Sequence, residues 1–223
     1  MRNAGKLVVA VAVGVLAGSG PAAAQANPVL THLGHVREAF RGTPEGKGLL
    51  PTALAEAAVV TRHAELASRS GANLDALKAH AGHIVHAIEP AEGMTGPGLG
   101  YGLKKAAAAV ATHVDLAAQS EGAPDGVRTH AGHVAASAAN TVSRADQILA
   151  LAKRVQAAGS VEEAAGLVEQ LNALAQQLLP GVDANGDGRI GWQDGEGGLQ
   201  HVEQHVNLLA QAVSGGPGHD ASF

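Results

Sequence analysis

His80-Ala81-Gly82-His83-Ile84 returns 50 residues later as His130-Ala131-Gly132-His133-Val134. It is preceded, 48 residues earlier, by His32-Leu33-Gly34-His35-Val36. A recurrence of this length marks a repeated supersecondary unit. The frame around the motif repeats too. Under the 50-residue shift Ala58 meets Ala108, Val60 meets Val110, His63 meets His113 and Leu66 meets Leu116. Eight of the twelve histidines (32, 35, 63, 80, 83, 113, 130 and 133) therefore occupy repeat-related places. The chain repeats its histidines together with its apolar frame.

That frame is helical. The sequence is Ala-rich, 46% hydrophobic, and carries only four aromatic residues among 223. Small side chains suit closely packed helices, whereas sheets favour β-branched and aromatic residues. Val127, Ala131, Val134, Ala138, Thr141, Ala145, Ile148, Ala152 and Val155 follow an unbroken 4-3 spacing. Such a seam is the mark of a long bundle helix. Periodicity, Gly and Pro breaks and capping residues place helices over 28–40, 51–68, 74–89, 103–119, 125–157, 161–179 and 198–213. Asn73 is the expected N-cap of the third. The expected fold is all-α: an up-down helical bundle built on a 50-residue helical-hairpin repeat, followed by a helix–loop–helix. Its divisions are the repeat bundle over 27–158, the helix–loop–helix over 159–214 and a disordered tail over 215–223.

Residues 1–26 read as a signal peptide. Arg2 and Lys6 form the positive start, Leu7 to Ala17 the apolar run, and Ala24-Gln25-Ala26 the cleavage site. The eleven-residue run is short against the roughly 20 residues a membrane helix needs. The expectation is a periplasmic or secreted protein with no membrane span after cleavage. Removing this segment takes the formal charge from −5 to −7, since it carries two cations and no anion. No basic patch points to nucleic acid. The absence of cysteine excludes disulfides, thiolate metal sites and covalent c-type haem attachment.

The helical neighbours of His63 (Val59, Val60, Leu66, Ala67) and of His113 (Ala109, Val110, Leu116, Ala117) are all apolar, which turns both histidines inward. His63 and His80 are equidistant from the turn at 70–73, and His113 and His130 from the turn at 120–123. Each lies about eight residues, or about 12 Å, from its turn. The expected groupings are His63 with His80 and His83, and His113 with His130 and His133. His32 and His35 form a third pair, His35 level with Glu56. Facing imidazoles inside a bundle suit zinc, copper or nickel. A haem held between two histidines is the alternative cofactor. A metal-dependent hydrolase and a structural bundle with non-ligand histidines are the alternative functions. The favoured reading is a metal-binding protein for metal handling or electron transfer rather than an enzyme, with metal ions as its partners.

One further stretch carries cation chemistry. Asp183-Ala184-Asn185-Gly186-Asp187-Gly188-Arg189-Ile190-Gly191-Trp192-Gln193-Asp194 resembles the EF-hand calcium loop. The resemblance implies calcium held by the side chains of Asp183, Asn185, Asp187 and Asp194 and the carbonyl of Arg189, with Gly188 at the sharp turn. It departs from the family in its last ligand, where Asp194 replaces the usual glutamate and Glu196 is an alternative. It departs also in Pro180-Gly181 before the loop and in a glycine-rich exit. A single loop of this kind in an exported protein stiffens a connection rather than sensing a signal.

Overall fold

The computed structural model describes residues 27–193 and 195–215. The expected signal peptide, Asp194 and the tail beyond Gly215 lie outside the described residues. Within them the chain is all-helical, with no strand. The helices are α1 (Pro28–Arg37), α2 (Leu49–Ser68), α3 (Leu74–Ile88), α4 (Leu103–Gln119), α5 (Asp125–Ala157), α6 (Val161–Gln176) and α7 (Leu199–Val213). The helix expected over 28–40 ends at Arg37, and the one over 161–179 ends at Gln176. A short 3₁₀ turn, Pro44–Gly46, interrupts the first connection.

The boundaries follow from local chemistry. Asn27 caps α1 by accepting from the Val29 N–H, and Asn73 caps α3 by accepting from the Ala76 N–H. Ser160 accepts from the Glu163 N–H while Glu163 accepts from the Gly159 N–H, so the start of α6 closes on itself. All nine seam residues of α5 are buried. This 33-residue helix packs against α3, α4, α6 and α7, α2 packs against α3, α4 and α6, and α1 lies mainly along α4. One hydrophobic cluster takes in residues from all seven helices. No helix is long and apolar enough to cross a membrane among the described residues.

The connection between α3 and α4 is held from inside the bundle. Glu56 of α2 is fully buried. Its carboxylate accepts from the backbone N–H groups of Leu99, Tyr101 and Gly102 at 3.3, 2.9 and 3.0 Å. His86, also buried, donates from Nδ1 to the Pro97 carbonyl at 3.0 Å. Glu56 is therefore not the partner of His35 that its height suggested; it clamps a glycine-rich connector. Glu56→Gln would turn an amide N–H₂ toward backbone donors. Urea denaturation of this variant is expected to show a loss of about 2–3 kcal/mol. A loss below about 0.5 kcal/mol would mean that the clamp is idle.

Candidate metal centres

Nine of the twelve histidines gather into three groups of three: His32, His35 and His113; His63, His80 and His83; His130, His133 and His205. In each group the ligand nitrogens all lie within 4.8 Å of one another. The construction is the same each time. An H-x-G-H helix (α1, α3 or α5) presents two imidazoles one turn apart. A neighbouring helix (α4, α2 or α7) supplies a third, which serves as the hub.

The hub contacts run through Nδ1. His113 Nδ1 lies 3.1 Å from that of His32 and 3.4 Å from that of His35. His63 Nδ1 lies 3.0 Å from that of His80 and 3.3 Å from that of His83. His205 Nδ1 lies 3.2 Å from that of His130. Imidazole nitrogens held about 2.0–2.1 Å from one tetrahedral ion stand about 3.3 Å apart, so the observed spacings match the edges of such a site. Protons alone satisfy the arrangement poorly, because each neutral imidazole has one donor and one acceptor. His133 Nδ1 is indeed buried with no hydrogen-bond partner.

The expected group of His63 with His80 and His83 is present. The expected group of His113 with His130 and His133 is not. His113 turns instead to His32 and His35 of α1, and His130 and His133 take His205 of α7. Equal distance from a turn sets the height of two residues on a hairpin but not the rotation of each helix about its axis. Helix α4 packs against α1 and α2 as well as α5, and its histidine follows α1. The triads are also less deeply placed than apolar neighbours implied. His205 is buried, while the other eight are half-buried at the rim of the core, and Leu116 beside His113 is 41% exposed.

Three contributors escaped the sequence reading. His205 has Val202, Leu208 and Leu209 as helical neighbours and His201 as the fourth, so the test that singled out His63 is met at three positions of four. Phe40 stands edge-on to His35 and His113, with ring centroids at 5.5 and 5.2 Å. Trp192 lies flat on His133, with centroids at 4.2 Å and planes 15° apart. Both aromatics come from connections between helices, which periodicity does not place. His86 and His201 stand outside the triads, each against a backbone carbonyl.

Burial and mutual repulsion lower the pKa values of seven of these imidazoles, which favours their neutral form. Desolvation, then the charges of His83 and His80, lower the His63 pKa from 6.5 to about 4. Desolvation, then His133 and His130, lower that of His205 to about 4. Desolvation likewise lowers His32, His80, His113, His130 and His133. Neutral imidazole is the form that ligates. In metal-free protein the unfolded chain, with histidines near 6.5, binds more protons than the folded chain between pH 6.5 and 4. Stability is thus full above pH 6.5 and is lost as pH falls toward 4. Thermal melts in chelator are expected to show this decline. A His63→Gln, His205→Gln variant should flatten it, and an unchanged slope would refute the assignment.

The acidic loop is folded by its own backbone. Asp183 accepts from the N–H groups of Gly186, Asp187 and Gly188, and Asp187 accepts from that of Arg189. Gly186 and Gly188 sit at φ of 76° and 84°, the left-handed region that glycine adopts without strain. Glu196 is buried, and its carboxylate accepts from the Gly191 N–H at 2.8 Å. Among the described residues the loop carboxylates do not form a three-ligand grouping with other acidic or histidine side chains.

No protein-family model matches the chain, and no curated protein or solved structure shows significant similarity to it.

Proposed function

We propose that the protein is a transition-metal-binding module that holds three ions, one in each histidine triad. The observation that carries this reading is the threefold recurrence of a histidine group whose hub Nδ1 lies 3.0–3.4 Å from both partners in two triads and from one partner in the third, all ligand atoms within 4.8 Å of one another. An all-nitrogen donor set of this kind suits zinc, copper or nickel. Three protein ligands leave one coordination position for water or an incoming group. Rim placement lets ions enter and leave, which fits metal handling.

The geometry favours an ion over haem. Within the triads, ring centroids lie 4.5–6.1 Å apart, and the closest pairs meet edge-to-face. A macrocycle slipped between two such imidazoles would have to part them. The open position also suits metal-assisted hydrolysis. Binding is preferred because, among the described residues, the groupings consist of histidine alone, with no carboxylate placed among them as a general base.

The second element of the proposal is a calcium ion in loop 183–194, by resemblance to the EF-hand. Asp183, Asn185, Asp187 and Asp194 would supply side-chain oxygens and Arg189 its carbonyl. The tight turn around Gly186 and Gly188 supports this reading. Glu196 already serves the Gly191 N–H, which favours Asp194 as the closing ligand. Export to the periplasm or beyond, from the character of residues 1–26, completes the picture of a calcium-stiffened helical metal binder.

Equilibrium dialysis against zinc, followed by elemental analysis, tests the reading. Three equivalents of zinc are expected, with X-ray absorption showing three imidazoles and one light-atom ligand per ion. Fewer than one equivalent would sink the proposal and leave a structural bundle.

A further inference from the structure

The third triad differs from the other two because one face of α5 serves both it and the acidic loop. His133, Ser137, Asn140 and Arg144 follow one another at steps of four, three and four, which is a single stripe along the helix. His133 lies beneath the indole of Trp192. Asn140 donates to the Gln193 carbonyl at 2.7 Å and accepts from the Gly195 N–H at 2.8 Å. Arg144 donates to the carbonyls of Gly195, Glu196 and Gly197. On α7, His201 Nε2 donates to the Ile190 carbonyl at 2.8 Å, one turn before His205. The loop exit thus spans the two helices that supply the third triad, and its tenth residue lies on a ligand. Phe40 touches the first triad edge-on, and among the described residues no aromatic ring outside the triad stacks on the second.

We infer that the acidic loop is the cover of the third histidine triad, so that a cation in the loop and a metal ion in the triad each strengthen the binding of the other. This rests on the proposed occupancy of both sites. Coupling requires that each ion favour the same arrangement over its alternatives. Metal ligation draws electron density from the His133 ring, and an electron-rich indole face stacks better on an electron-poor partner. Metal in the triad therefore favours the seated position of Trp192. A cation among Asp183, Asn185 and Asp187 fixes the loop whose exit carries that indole. Both ions select the closed cover. The effect is reciprocal by thermodynamic necessity. An aromatic stack sets its size at about three- to tenfold in affinity.

Trp192 is the sole tryptophan, so its fluorescence reports this triad. The full chain is titrated with nickel in metal-depleted buffer, with and without millimolar calcium. Three nickel equivalents are expected, one of which quenches Trp192. That one should bind about three- to tenfold more tightly with calcium present. His133→Ala should remove the quench and one equivalent. Trp192→Ala, followed by calorimetry, should keep three equivalents and lose the calcium dependence. A midpoint unmoved by calcium, or weakened as bare repulsion between two cations would weaken it, overturns the coupling while three equivalents uphold the triads. No nickel bound at all overturns the metal reading and the coupling together.

Discussion

Replacing His63, His113 and His205 together by alanine is expected to take zinc stoichiometry from three to none. Each of these residues is the hub of its triad, with Nδ1 in contact with one or both partners at 3.0–3.4 Å. Without the hub only two imidazoles remain, one turn apart on a single helix. Loss of an outer-shell partner costs about 10–100-fold in metal affinity, so loss of one ligand in three should cost at least about 100-fold. The single variants should each remove one equivalent, because the triads share no residue. Folding should survive. His63 and His113 are half-buried, only His205 of the three is buried, and alanine is the better helix former. Circular dichroism would confirm retained helicity, and equilibrium dialysis with elemental analysis would count the ions. Three equivalents persisting in the triple variant would show that the histidines are not the ligands. Loss of every ion on a single replacement would show instead that the triads form one cooperative unit.

The residues of two triads were legible because the sequence repeats them, whereas their partners were only half legible. The His63–His80–His83 group followed from a turn position and a helical face. The same reasoning misassigned His113, since a hairpin fixes height and leaves rotation open. That rotation is set by which third helix packs alongside, α1 against α4 and α7 against α5. These contacts join residues 78, 81 and 75 positions apart, and no local pattern encodes them. The α5 seam was read residue for residue because a 4-3 repeat of small apolar groups has one way to bury itself. Glu56 shows the reverse case. A lone carboxylate on an apolar face carried no sign that its partners would be three backbone N–H groups 43 to 46 residues downstream.

Arg144 supplies the second large effect, and it separates the scaffold of the loop from the proposed cation site. Only 4% exposed, the guanidinium sits inside the bundle, where burial lowers its pKa. It nevertheless stays protonated at any working pH. Its N–H groups are taken up by the carbonyls of Gly195, Glu196 and Gly197 as the chain leaves the acidic loop and enters α7. The planar fork of five donors reaches three successive carbonyls at once, which an ammonium does not. Arg144→Met fills similar space and leaves the Gly195 and Gly197 carbonyls without donors, while the Glu196 carbonyl keeps the Val182 N–H. Each buried, unsatisfied carbonyl costs about 1–3 kcal/mol, and partial hydration at the loop edge brings the expected total loss to about 3 kcal/mol. Arg144→Lys should recover part of that loss. Because Trp192 is three residues before the first of these carbonyls, its stack on His133 should loosen, and its emission should shift toward the fully solvated value. The first two triads, built on α1–α4 and α2–α3, should keep their ions. Urea denaturation and tryptophan emission on the same samples decide the matter. A stability change below about 1 kcal/mol with unaltered emission would mean that water replaces the guanidinium freely, and that Asn140 and His201 alone seat the loop on the third triad.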